Sequence, residues 1–190
     1  EFVAKLAADA NGTNVLASLS MFDLSGNDPV VRHRFQSIPV AEVTPLGPGD
    51  YEPRGATPLN DAVVQTIRSM DKRVKEGDRV MLVILTDGLE NSSETSSADV
   101  RKLILDRERR GWEFIYLGAN QDSWAEGSKI GIAARGKRFD YEASPAGVQA
   151  AFKVSAARAR KFRDAPDEYR AELDSLSDRI DEDDEDARRR

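Results

Sequence analysis

Strands alternating with helices predict an α/β fold, wound on both faces of a mostly parallel central sheet that carries one antiparallel edge strand. Three observations lead there. Val80 to Leu85 is an unbroken apolar run, the pattern of a strand covered on both faces in a parallel sheet. A second such run extends from Trp112 to Leu117, and a stretch of helical periodicity separates the two. Two further helices open on a hydroxyl residue followed by proline, Thr57-Pro58 and Ser144-Pro145.

In order, Phe2, Val3, Leu6 and Ala10 have helical spacing, so Glu1 to Ala10 reads as the end of a helix stopped by Asn11-Gly12. Asn14 to Phe22 alternates as a strand does. Asp23 to Pro29 is a polar turn, and Val31 to Val43 is a second strand with a break at Pro39; the two strands suit an antiparallel hairpin. Thr44 to Gly55 is a loop rich in Pro and Gly. Pro58 to Lys75 reads as a helix with Thr57 as its N-cap and an apolar stripe through Leu59, Ala62, Val63, Ile67 and Met70. Gly77-Asp78 ends it, and Arg79 to Thr86 is the strand expected at the centre of the sheet. Ser96 to Arg110 is a helix capped by Ser96 or Ser97, and Trp112 to Leu117 the next buried strand. Asp122 to Gly131, Lys137 to Tyr141 and Ser144 to Phe162 complete the series as helix, strand and helix. The whole order is Rossmann-like.

Residues 1–163 form one expected domain, and 164–190 an acidic, partly helical or disordered tail. The tail holds twelve acidic and five basic residues, so the net charge of -6 belongs to it rather than to the domain. Tyr169, Leu173, Leu176 and Ile180 have helical spacing, whereas the six consecutive acids from Asp181 to Asp186 are expected to stay solvated. A pI near 5.0 argues against a nucleic-acid footprint. The chain has no cysteine, which excludes a disulfide framework, a thiolate metal site and a thiol nucleophile, and fits a cytoplasmic protein. No apolar run approaches the ~20 residues that span a bilayer.

In an open α/β sheet, ligands bind at the carboxyl ends of the strands. Two segments belong there: the loop after the apolar strand, with Asp87, and the loop entering the next helix, with Thr57. Alone, Asp87-Gly88 is an ordinary turn and Thr57 an ordinary cap. Together they are a carboxylate and a hydroxyl suited to a hard cation such as magnesium. His33, the only histidine, lies among arginines and reads as a surface residue, so no Ser-His-Asp triad is built on it. Gly127 to Gly131 lacks the spacing of a phosphate loop. Trp112 and Trp124 read as packing residues.

The run RGATPLNDA from Arg54 resembles the second metal-site loop of von Willebrand factor A (vWA) domains. The run VMLVILTDG from Val80 resembles their fourth strand and third metal-site loop. SMFD from Ser20 is similar to the end of their second strand, and WEFIYLGANQD from Trp112 to the fifth strand of bacterial and phage-type members. The resemblance spans roughly residues 1–163. It implies a metal-ion-dependent adhesion site in which Thr57 binds Mg2+ or Mn2+ directly and Asp87 binds directly or through water, a site that takes the cation only where the loop after the family's first strand is also present. It also implies that an acidic side chain of a partner protein completes the shell.

One part of the family pattern is missing. The Asp-x-Ser-x-Ser motif that follows the family's first strand does not occur before the Pro58 helix. Asp23-Leu24-Ser25-Gly26-Asn27 is a poor substitute, because it lies only 34 residues before Thr57, with no room for a helix and two strands. The expectation is that the first strand and its loop lie upstream of Glu1. Without them, the strands at Asn14 and Arg79 would be left with unpaired edges. The expected function is therefore a metal-assisted protein-binding module, not an enzyme. The alternatives are a metal-independent scaffolding domain and a magnesium-dependent phosphotransferase or hydrolase using Asp87 as nucleophile. The last is disfavoured because Leu85 and Leu89 stand two residues to either side, where a second acid is needed. Glu90, Asn91 and Ser92 are candidates for shaping the surroundings of the metal.

Overall fold

The computed structural model describes residues 14–24, 30–47, 49–50, 55–119, 123–132 and 137–175. The helix expected over Glu1 to Ala10, Ser25 to Pro29, Leu176, Ile180 and the acidic run Asp181 to Asp186 lie outside the described residues, as does the Trp124 side chain.

The fold is α/β, with three parallel strands flanked by helices and a separate antiparallel pair. The pair is β1 (Leu16–Phe22) and β2 (Val31–Pro39), joined in the register Phe22↔Val31 to Leu16↔Pro39 with an irregularity between Ala17 and Ser20. Ser37 has φ of 51° there, and its amide donates to the Ser18 hydroxyl at 2.9 Å. The break expected at Pro39 is real: β2 ends on it and a 3-10 turn, Val40–Glu42, follows.

The parallel sheet has the order β3 (Met81–Thr86), β4 (Glu113–Ala119), β5 (Arg138–Tyr141). β3 and β4 run in register from Met81↔Glu113 to Thr86↔Gly118. All seven residues of β4 are buried. Its alternate side chains divide two cores, as a strand period of two requires. Phe114 and Tyr116 face one core with Leu59, Val63 and Ile67 of α1 (Leu59–Asp71) and Val100 and Ile104 of α2 (Ser97–Arg109). Ile115 and Leu117 face the other with Ala151 of α4 (Pro145–Asp164). Helices therefore cover both faces, as expected. α3 (Ser123–Lys129) ends at Gly131, whose φ of 96° is the left-handed geometry that closes a helix.

Two helix starts follow the sequence. Ser96 caps α2 by accepting the Asp99 amide, and Ser144 caps α4 by accepting the Gly147 amide at 3.1 Å, with proline in the first turn. Residues 166–175 are helical, and Tyr169 and Leu173 are buried with Phe162 and Met81. The helix expected from the apolar spacing thus packs onto the domain over this stretch.

Two expectations are corrected. The single sheet with an antiparallel edge strand is instead two sheets, three parallel strands and a hairpin. β3, expected at the centre, is an edge strand among the described residues. It pairs with β4 alone, and only Ile84 and Thr86 of its six residues are buried. The physical reason is the same for both: no described strand lies on the far side of β3 to cover it and join it to β1. α1 connects the two sheets instead, with Phe22 of β1 packed into its core and Gln36 of β2 bonded to Ser69 at 2.9 Å and to Arg73 at 2.6 Å.

Candidate functional site

β3 ends at Thr86, and the buried Thr86 side chain folds the next turn. Its hydroxyl donates to the Gly88 carbonyl at 2.9 Å and accepts the Gly88 amide at 3.2 Å. This tight return leaves Asp87 exposed at the carboxyl end of the strand. Among the described residues its carboxylate takes part in no hydrogen bond or ion pair, so the charge is available to a ligand.

Thr57 stands against this turn. Its Oγ1 is only 2.6 Å from the point a Cβ on Gly88 would occupy. The Thr57 hydroxyl therefore lies against Gly88, the residue next to Asp87. A hydroxyl and an unengaged carboxylate on neighbouring loops fit a magnesium or manganese ion that keeps several waters. Leu89, 55 % exposed, stands on the other side of Gly88.

The predicted role of Thr57 as an N-cap is corrected. α1 begins at Leu59, Pro58 holds the capping position, and no local side chain caps it. The first-turn amides are satisfied from the opposite loop. Asn60 donates to Glu90 Oε2 at 2.7 Å and Asp61 to Ser93 Oγ at 3.1 Å. A carboxylate at the amino end of a helix meets both the unpaired amides and the helix dipole. The Thr57 hydroxyl is left out of the cap, while its amide donates to Asn91 Oδ1 at 2.9 Å.

The bonding runs both ways. Asp61 accepts the amides of Glu94 and Thr95, each at 2.9 Å. Asn60 Nδ2 donates to the Thr95 carbonyl and the Ser97 hydroxyl, each at 3.1 Å. Burial pushes the Glu90 carboxyl up, but the Asn60 amide, the Ser93 hydroxyl and the amides of Ser93 and Ser92 hold it below the usual carboxylate range. Asp61 behaves alike: burial raises it, and Thr95 and Glu94 bring it below its ordinary value. The part that sequence reasoning missed is this reciprocal capping by Glu90, Asp61 and Asn60. The signal present was an acid in the first turn of a helix and a second acid in a serine-rich loop.

The other candidates fall elsewhere. Asp23 ends β1, 3 % exposed, and its carboxylate holds the Arg32 guanidinium at 2.6 Å across the hairpin. Its neighbour Leu24 exchanges backbone bonds with Ala56 at 3.2 Å, so the end of β1 does lie beside the Thr57 loop. His33 is exposed, bonded to Ser20 at 2.9 Å. Trp112 is buried and stacks on Phe114. Gly127 lies inside α3 against the Arg138 side chain, not in a phosphate loop. Among the described residues, no helix is long and apolar enough to cross a membrane. Comparison with protein-family models and with curated proteins finds no match to the chain.

Proposed function

We propose that the chain is a vWA-type, Rossmann-like protein-binding module whose Thr57 and Asp87 hold a divalent cation, Mg2+ or Mn2+. A carboxylate from a partner protein completes the shell. The observation that carries this reading is the contact of Thr57 Oγ1 with Gly88, the residue that follows Asp87 at the carboxyl end of a parallel strand. Thr57 would bind the ion directly, and Asp87 directly or through water. The ion supplies a positive centre that ties partner binding to its presence.

The open side of β3 supports the same reading. Met81 to Leu85 is continuously apolar yet only Ile84 is buried among these, and β1 likewise pairs on one side only among the described residues. A strand laid between β1 and β3 would join the two sheets into one and cover those side chains. The loop after a parallel strand in that slot would emerge next to Thr57 and Asp87, where the family's Asp-x-Ser-x-Ser motif supplies the other ligands.

A scaffolding role without metal is the second reading. It is favoured by the hydrogen bonds that already hold the two loops together without a cation. Water-proton relaxation with Mn2+ separates the two. The cation reading expects enhancement in the wild-type chain that falls in Asp87→Asn, the acidic tail contributing equally to both. Equal enhancement in the two proteins sinks the cation reading and leaves the scaffold.

A further inference from the structure

One side chain at this face is bonded to both loops. Glu90 Oε2 accepts the Asn60 amide at 2.7 Å and the Ser93 hydroxyl at 2.7 Å. Its Oε1 accepts the amides of Ser92 at 2.9 Å and Ser93 at 2.8 Å. All four partners are donors. One belongs to the first turn of α1, which begins two residues after Thr57, and three belong to the loop that follows Asp87.

We propose that Glu90 is a positioning residue, joining the first turn of α1 to the loop after β3 and so fixing the Thr57 hydroxyl relative to the Asp87 carboxylate. The inference rests on the cation site proposed above. A cap supplied from the segment before α1 would satisfy the helix amides equally well and leave the two loops free to separate. A cap supplied across the gap ties the two together, beside the bonds that Asn60, Asp61 and Asn91 make between the same segments. The chemistry also asks for a carboxylate rather than a neutral amide: glutamine would turn its own N–H groups toward donors on one side and lose those contacts. The Thr57–Asn91 bonds sit between Glu90 and the site, so they transmit the constraint.

The test compares the wild type with Glu90→Gln, with the milder Ser93→Ala, and with Ile104→Val as a core change away from the loops. Three quantities are measured: Mn2+ affinity by water-proton relaxation, the thermal midpoint, and exchange of the Thr57 amide by NMR. That amide bonds to Asn91 and not to Glu90, so its exchange reports the coupling. Glu90→Gln is expected to weaken Mn2+ binding about tenfold, as loss of an outer partner of a metal ligand does, and to speed Thr57 exchange. Ser93→Ala is expected to move both in the same direction by less. Ile104→Val lowers the midpoint and moves neither. Wild-type affinity and exchange in Glu90→Gln, or equal changes in Ile104→Val, overturn the proposal. If the wild type binds no Mn2+, the cation site fails on its own account. Thr57 exchange then decides the role of Glu90: faster in Glu90→Gln supports it, unchanged overturns it.

Discussion

Gly88 is glycine for space rather than for backbone angle. It is not among the glycines with positive φ, and a Cβ there would stand 2.6 Å from Thr57 Oγ1, well inside contact distance. Something must give, and the Thr57 hydroxyl is what lies in the way. Gly88→Ala is therefore expected to destabilise by about 1–3 kcal/mol, the usual cost of forcing atoms into a packed site. It should also remove the Asp87-dependent part of the Mn2+ relaxation signal. Thermal denaturation and relaxation on the same sample check both, and a variant with wild-type values in each would show that Thr57 is not held against the turn. The placement of Thr57 and Asp87 on neighbouring loops was legible in the sequence, because a Thr-Pro near a helix start and an Asp-Gly after a buried strand are local patterns. The cap of α1 was not, because it comes from Glu90, thirty residues from the Asn60 amide that it accepts.

At the scale of elements, the helices were read well where their caps are local. Ser96 and Ser144 sit at the helix starts read from the sequence, and each accepts the amide three residues on. Strand placement was read less well. An apolar run such as Met81 to Leu85 reports that both faces pack, and it does: Leu82 and Ile84 on the α1 side, Met81, Val83 and Leu85 on the α4 side. It does not report which neighbour pairs with its edge, since backbone pairing leaves no mark on side-chain pattern. The loop after β3 and the start of α1 act as one element, held by Glu90 and Asp61. Both carboxyls lie below their free values in the folded chain, so the unfolded chain takes up their protons first as pH falls. Their contribution to stability is complete above the free carboxylate range, about pH 4, and is lost as pH drops through the folded values. Urea midpoints followed downward from pH 6 should fall most steeply below about pH 4, and Glu90→Gln should flatten part of that slope. The same slope in both proteins would contradict the capping role.

At the scale of the molecule, the parallel sheet and the hairpin share no strand pairing among the described residues, and α1 packs against both. The face at the carboxyl ends of β3 and β4 therefore gathers three pieces: the end of β1 through Leu24, the Thr57 loop, and the Asp87 loop. The charge of the chain is uneven, with six consecutive acids from Asp181 to Asp186 that attract any divalent cation weakly. Bulk binding measurements mix that region with the face. The most direct test of the central claim is thus residue-resolved: paramagnetic broadening of backbone amide signals by substoichiometric Mn2+. A cation held at this face gives loss of signal centred on Thr57, Asp87 and Gly88, reversed by excess Mg2+ and absent there in Asp87→Asn. Broadening confined to the acidic run, with Thr57 and Gly88 untouched, would contradict it.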